Sequence, residues 1–349
     1  MTEQPYNTVA LFGATGQIGR AFLDALLHPS TPGYAPHVKV FLRNEQWDAK
    51  ASTIPDDARV EKVRADFGDV GQLARQLEGV DALVSALNGP GIDAQYAILD
   101  AAAEAGVKRF LPSEYGSEHP WRKPGDDWTH FHPYFDIKQR FHEHMLLHPA
   151  MVSRKMTFTI IGTGDLCGLP PLRRWLPSRG GAHRPTETYW IGWAAEGLPE
   201  RYVFPIVGDP DSKYEVTKIT DLAQYVAATL AHPALSADAF LNVVSDVVSQ
   251  QEIADLVASA SGRPVEPDYV SEEEAHAYVA HPETIPERAR QSRFDAAFWY
   301  IVRIQQGTNK FRRHPSLVHN DLFPEVKLTR MQEYFAQTVG QKAMSEGGQ

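Results

Sequence analysis

The amino-acid sequence predicts an α/β fold, a doubly wound parallel sheet with a smaller α+β portion toward the C-terminus. Short apolar runs alternate with amphipathic segments over the first 160 residues, which is typical of strands and helices that follow one another in a parallel sheet. A glycine-rich turn joins the first predicted strand to the first predicted helix. After about residue 157 the alternation gives way to mixed short elements, so we expect a different arrangement there.

The first strand, the turn and the start of the first helix read Val-Ala-Leu-Phe-Gly-Ala-Thr-Gly-Gln-Ile-Gly over residues 9–19. Gly13 lets the chain turn off the strand, Gly16 lets the backbone approach a pyrophosphate, and Gly19 lets the helix pack closely. Because a helix N-terminus also offers N–H groups to phosphates, the turn predicts a dinucleotide site on a Rossmann-type sheet. The alternative is a glycine-rich turn that binds nothing. The expected cofactor contacts in the turn are Gly13, Thr15, Gly16, Gln17, Ile18 and Gly19.

The end of the second predicted strand, residues 38–42, indicates which dinucleotide binds. An NAD site usually has a carboxylate about 20 residues after the glycines, whereas this strand ends in Arg43 and Asn44. A guanidinium can bind a ribose 2′-phosphate through several N–H donors, and a carboxylate would repel it. The sequence therefore favours NADP(H), with Lys50 as a candidate second cation. Glu45 opposes this interpretation, and both cations could instead be solvated surface residues.

Three more strands are predicted at 59–66, 81–87 and 109–112, with helices at 70–77 and 95–105 between them. Ligands of such sheets bind beyond the carboxyl ends of the strands. The residues that this rule adds to the cofactor site are Phe67, Ser85 and Ala86, and Ser113 follows the fifth strand at the same edge.

A predicted helix that opens near residue 134 carries the candidate chemistry. Tyr134 and Lys138 are four residues apart, so they can face the same side of this helix. A lysine beside a bound nicotinamide can hold the ribose hydroxyls, lower the pKa of a neighbouring phenol, or act as the acid or base. The candidate catalytic residues are therefore Lys138, Tyr134 and Ser113, with Lys138 also a cofactor contact. The alternatives are a solvated lysine and a packed aromatic ring.

Composition restricts the function classes. The chain of 349 residues has 44 acidic and 34 basic residues and a formal net charge of −10, which opposes nucleic acid or an anionic membrane as the main partner. The single cysteine, Cys167, excludes an intrachain disulfide, and we expect no metal site despite five histidines between residues 130 and 148. With no secretion signal or membrane span recognisable, we expect a cytoplasmic monomer or homodimer whose partner is a small-molecule substrate.

Several longer segments resemble the isoflavone reductase family of atypical short-chain dehydrogenases, within the wider NmrA-like group. The clearest is Lys-Arg-Phe-Leu-Pro-Ser-Glu-Tyr-Gly at 108–116, where Tyr115 stands in place of a phenylalanine. Further similar stretches span nearly the whole chain and lie at 95–101, 216–226, 241–244, 248–253, 262–265 and 322–329. Residues 117–133, 148–156 and 170–200 do not resemble any one plant reductase closely.

The resemblance implies an NADPH-dependent reductase that transfers hydride to a C=O, C=C or benzylic carbon of a small aromatic or phenolic molecule. In the family, the lysine that matches Lys138 is assigned the acid/base role, and a tyrosine at the position of Tyr134 is usually dispensable. The alternative is an NmrA-like regulatory protein that senses NADP without turnover, although such relatives tend to lack the lysine. We expect a dinucleotide-binding domain at 1–160, a smaller substrate-binding portion interleaved with its sheet at 161–340, and a tail at 341–349.

Overall fold

The structure, a computed structural model, describes residues 4–116, 133–168, 202–286 and 296–337. Its main sheet is parallel throughout. The strands lie side by side in the order β10 (Ala239–Val243), β6 (Thr157–Thr163), β5 (Arg109–Leu111), β4 (Ala82–Ser85), β1 (Thr8–Phe12), β2 (His37–Arg43) and β3 (Val60–Ala65).

The central strands are apolar because both faces of the sheet are covered. Every residue of β4 and β5 is buried, as are the last four residues of β1, which is characteristic of a parallel sheet between helical layers. From β3 to β6 the order is 3-2-1-4-5-6, so the chain reverses its direction of travel between β1 and β4. That reversal is the topological switch point at which doubly wound sheets bind ligands.

Helices cover the two faces of the sheet in separate layers. Helices α1 (Gln17–Leu27) and α7 (Ile219–Ala231) share one apolar core with the sheet, and Phe22 and Tyr225 are both buried in it. The opposite face is covered by α3 (Val70–Gln76), α4 (Gln95–Glu104) and α5 (Pro133–Leu147). Two short helices, α2 (Trp47–Lys50) and α6 (Pro149–Val152), follow β2 and α5.

The described residues of the later part of the chain form two small sheets. In the first, β9 (Lys213–Lys218) lies between the parallel β7 (Asp165–Cys167) and the antiparallel β11 (Asp246–Ser249). In the second, β8 (Tyr202–Val207) pairs in parallel with β12 (Val265–Val270). The helices of this part are α8 (Gln250–Ser261), α9 (Glu272–Ala280), α10 (Ala296–Gly307) and α11 (Met331–Phe335).

Two distant segments that resemble the family motifs meet at Asp221, in the first turn of α7. Its carboxylate accepts hydrogen bonds from the backbone N–H of Thr329 at 2.6 Å and from the Ser245 hydroxyl at 2.8 Å. Burial raises the pKa of Asp221, and these hydrogen bonds oppose the rise. In the same helix, the Tyr225 hydroxyl donates to the carbonyl of His319 at 2.6 Å. Side chains of α7 therefore hold the closing segment of the chain against the main sheet.

The α/β architecture predicted from the sequence is confirmed, and the differences concern the later elements. The sequence predicts a helical run near residues 284–307; α10 covers Ala296–Gly307, and residues 287–295 lie outside the described ranges. The elements α9 and β12 were not predicted from the sequence. β12 contains Pro267, which normally argues against a strand, and α9 opens with three glutamates and shows little apolar periodicity. The division at residue 160 stays a proposal, since β6 crosses it and β10 pairs with β6.

Tyr115, the residue that departs from the family signature, is buried between the main sheet and α1. Its ring packs edge-on against Phe22 with the centroids 4.9 Å apart. Its hydroxyl is buried and has no hydrogen-bond partner among the described residues. Burial, and then the charge of Glu114, raise the pKa of Tyr115, so the phenol stays neutral.

We expect Tyr115→Phe to keep the free energy of unfolding unchanged or to raise it by up to about 1 kcal/mol, because it removes only a desolvated hydroxyl. Tyr225→Phe is the matched control: it deletes a hydroxyl that donates to a carbonyl, and we expect it to cost about 1 kcal/mol. Equilibrium unfolding in urea measures both. Equal losses in the two variants would contradict the description of Tyr115.

Candidate functional site

The glycine turn after β1 lies against the end of β4. Gly13 has φ +85°, and a Cβ on it would lie 2.5 Å from the carbonyl oxygen of Ala86. A Cβ on Gly19 would lie 2.1 Å from the carbonyl oxygen of Gly13. Neither contact leaves room for a side chain, so both glycines are required by the close packing of β1, β4 and α1.

Gly16 is constrained differently. It is exposed and caps α1, and its N–H donates to the carbonyl of Gly13 at 2.9 Å. Among the described residues, a Cβ there would meet only that carbonyl, at 3.3 Å. The first turn of α1 contains no acidic residue, so the positive end of the helix dipole stays available to an anion. Thr15, Gln17 and Ile18 are half-buried around this turn.

Arg43, at the end of β2, lies over an aromatic platform. Its guanidinium carbon is 5.3 Å from the centroid of the Phe67 ring, and Phe67 packs edge-on against Phe12 at 5.1 Å. Its Nη2 donates to the carbonyl of Gly91 at 3.4 Å. Within the described part of the chain, Arg43 forms no ion pair, not even with the exposed Glu45. The positive charge is therefore held in place without a compensating carboxylate.

Lys50 is less clearly placed for the cofactor. It ends α2, is half-buried, and its Nζ donates to the side-chain oxygen of Gln46 at 3.0 Å. The structure thus brings Arg43 and Phe67 together and gives Lys50 a local partner one turn away on its own helical segment. The role predicted for Lys50 stays a prediction.

The next candidate residues lie at the carboxyl ends of β4 and β5. Ser85 is fully buried, and its hydroxyl has no hydrogen-bond partner among the described residues. The N–H of Ala86 donates to the carbonyl of Phe12 at 2.8 Å and extends the contact between β4 and β1. A buried hydroxyl without a partner at a switch point fits a ligand that completes its hydrogen bonding.

Ser113 is held by a residue that sequence reasoning did not select. The buried Gln95, at the start of α4, accepts a hydrogen bond from the Ser113 N–H at 2.8 Å. The Ser113 hydroxyl donates to the carbonyl of Leu87 at 2.7 Å. The hydroxyl proton is used in this hydrogen bond. The Ser113 oxygen can therefore interact with a ligand only as a hydrogen-bond acceptor. Gln95 is the first residue of the segment 95–101, which resembles the family. This resemblance was the only feature of the sequence that could have indicated a role for it.

Lys138 lies on the sheet-facing side of α5 and is 7 % exposed. Phe141 and Met145, one and two turns further on, are buried in the core beneath the same helix. Helix α5 also contacts the segment Gly89–Ala94 that follows β4. Lys138 is therefore not a solvated lysine, which was the alternative interpretation of this position. Tyr134 belongs to the first turn of α5, but its side chain lies outside the described residues.

A cleft of about 560 Å³ lies between α5, β10 and the segment 313–319. Burial lowers the pKa of His142, and burial followed by the charge of Arg313 lowers that of His319, so both imidazoles are neutral at neutral pH. Arg313 forms a buried ion pair with Glu215 and donates to the Thr163 carbonyl at 3.0 Å. The cleft thus lies where the later chain meets the main sheet.

Other predicted features are only partly within the described residues. There, no three histidine, cysteine or acidic side chains are grouped to hold a metal ion, and no helix is long and apolar enough to cross a membrane. The sequence predicts that residues 117–133, 148–156 and 170–200 build the substrate side. Residues 148–156 contain α6, whereas 117–132, with His130 and His132, and 170–200 lie outside the described ranges.

Curated relatives match this chain over nearly its full length at low identity. An isoflavone reductase homolog, A622 of Nicotiana glauca, is 23% identical over 346 residues, covering 97% of this chain and 100% of its own. The bifunctional pinoresinol-lariciresinol reductase of Forsythia intermedia is also 23% identical, with 95% and 99% covered.

Solved structures show the same fold. AtPrR2 with NADP+ and (+)pinoresinol has a TM-score of 0.68 at 22% identity, covering 97% of this chain and 100% of that one. The leucoanthocyanidin reductase–NADPH complex of Vitis vinifera has a TM-score of 0.65 at 19% identity, with 95% and 99% covered. The model of the NmrA-like family matches residues 5–335. Because that match covers nearly the whole chain, from the first strand to α11, this chain belongs to the NmrA-like family.

Proposed function

We propose that the protein is an NADPH-dependent reductase that transfers hydride to a C=O, C=C or benzylic carbon of a small aromatic or phenolic molecule. The observation that carries the proposal is Lys138, buried on the sheet-facing side of α5. The named relatives support it, since they include a bifunctional pinoresinol-lariciresinol reductase and a leucoanthocyanidin reductase.

The cofactor in this proposal is NADP(H), which supplies the hydride when bound. The exposed Gly16 and the N-terminus of α1 would receive the pyrophosphate, since backbone N–H groups and the helix dipole favour an anion there. Arg43 would bind the 2′-phosphate, because a guanidinium without a carboxylate partner can offer several donors. The hydroxyl of Ser85, buried without a partner, fits a contact with the cofactor at the switch point.

Lys138 is assigned the proton transfer, or the anchoring of the ribose hydroxyls, or both. Its ammonium is a compact donor, and a lysine held away from solvent is suited to acid–base work. Ser113 stays a candidate, but as an acceptor, since its own proton is donated to Leu87. Tyr134 stays a candidate through its position one turn before Lys138.

A turnover assay with NADPH and a panel of aromatic ketones, quinones and isoflavones tests the proposal. We expect loss of absorbance at the nicotinamide wavelength with at least one compound of the panel. Tight binding of NADPH without oxidation by any of them would favour the alternative, an NADP-sensing regulatory protein of the same family.

Replacing Arg43 with alanine should weaken NADPH binding by about 2 kcal/mol, the usual value of a charge-assisted hydrogen bond. NADH binding should change little, because NADH lacks the 2′-phosphate. Titration calorimetry measures both. Arg64→Ala is the control, since it removes the same charge from an exposed position at the end of the neighbouring strand. Equal losses for the two cofactors in Arg43→Ala would refute the 2′-phosphate assignment.

Replacing Lys138 with alanine should lower kcat by about 10²- to 10⁴-fold, the usual contribution of general acid–base catalysis. Tyr134→Phe should change kcat little if the lysine alone transfers the proton. The exposed Lys155, after α6, provides the control variant Lys155→Ala. Steady-state kinetics at saturating NADPH and substrate measure kcat for each variant. Near-normal turnover in Lys138→Ala would show that the lysine does not take part in proton transfer.

A further inference from the structure

Gly91 touches the guanidinium of Arg43 through its backbone. It lies in the helical turn Gly89–Ala94 that follows β4, and it is buried. A Cβ on Gly91 would lie 2.4 Å from Nη2 and 3.3 Å from the guanidinium carbon of Arg43. The guanidinium occupies the space that any side chain at position 91 would need.

The backbone at Gly91 does not itself require glycine. Its φ lies outside the left-handed region, unlike that of Gly89 two residues earlier, which has φ +56°. Arg43 supplies every atom that a Cβ on Gly91 would approach most closely. The reason for a glycine at this position is therefore the arginine.

Two contacts fix the plane of the guanidinium. The Phe67 ring faces it at 5.3 Å, and the Gly91 carbonyl accepts from Nη2 at 3.4 Å. Phe67 cannot easily move, because it is buried against Phe12, which stacks on Phe41 at 4.5 Å. One of the five N–H donors is used by Gly91, and the described residues place no carboxylate on the others. The group is positioned before an anion arrives.

We propose that Gly91 is a specificity-determining position for NADP(H), acting as a positioning residue through Arg43. The proposal rests on the proposed function, in which Arg43 binds the 2′-phosphate. An arginine that is free in solution loses rotamer freedom when it binds a phosphate. Holding it over Phe67 beforehand reduces that cost, and the gain applies only to the phosphorylated cofactor. A side chain at position 91 displaces the guanidinium and shifts preference toward NADH.

The test is Gly91→Ala, with dissociation constants for NADPH and NADH measured by calorimetry. We expect NADPH to bind about 2- to 10-fold more weakly, the cost of one newly immobilised side chain. NADH binding should stay within about twofold, a change of a few tenths of a kcal/mol. 2′,5′-ADP should follow NADPH, and 5′-AMP should follow NADH.

Gly71→Ala is the matched control. Gly71 also lies near a guanidinium, but its Cβ would meet Nη1 of Arg75 at 3.6 Å, an ordinary contact distance. We expect no change in either affinity for this variant. In the background of Arg43→Ala, adding Gly91→Ala should have no further effect on NADPH binding, since the group it displaces is gone.

The outcomes separate this inference from the proposed function. If Arg43→Ala leaves the preference for NADPH unchanged, the 2′-phosphate assignment itself fails. If Arg43→Ala is selective and Gly91→Ala is not, Gly91 is not a specificity position. Equal weakening of both cofactors by Gly91→Ala, or a variant that does not fold, would show a structural role and overturn the inference. Selective weakening that disappears in the double variant supports it.

Discussion

The structure depends on the close approach of three backbone segments at the switch point between β1 and β4. Gly13 faces the Ala86 carbonyl at a distance that excludes a side chain, and Gly19 faces Gly13 in the same way. If these contacts were lost, α1 could not start directly after β1. Its N-terminus would then no longer lie at the switch point, beyond the carboxyl ends of the strands. The conformation of the glycine turn is therefore a consequence of packing that the sheet itself needs.

The contacts of Arg43 and Lys138 with neighbouring residues determine how each of these two side chains is placed. Arg43 is held by the Phe67 ring and the Gly91 carbonyl rather than by a carboxylate. Lys138 is withdrawn from solvent because α5 buries the same face with Phe141 and Met145. Both cationic side chains are thus held by apolar or backbone surroundings, although the chain as a whole is acidic.

How far each residue could be predicted follows from the range of its interactions. The position of Arg43 at the end of β2 was predictable, because it follows from the strand pattern and a known offset from the glycines. Gly91 and Gln95 were not, since their roles are contacts with residues 48 positions back and 18 positions ahead. Tyr115 carries a motif mismatch whose consequence, a buried hydroxyl without a described partner, depends on the packing of Phe22 from α1.

The sequence by itself determined the strand–helix alternation, the glycine turn and the cation at the end of β2, because each depends on local periodicity, backbone freedom and short spacing. Only the tertiary structure decided that β10 and α7, from the later half, complete the main sheet and its helical layer. It also decided which side chains are buried: the sequence selects Lys138 and Ser85 as site candidates but does not show that both are buried. Burial depends on elements brought together over long separations, and such contacts leave no local pattern in the chain.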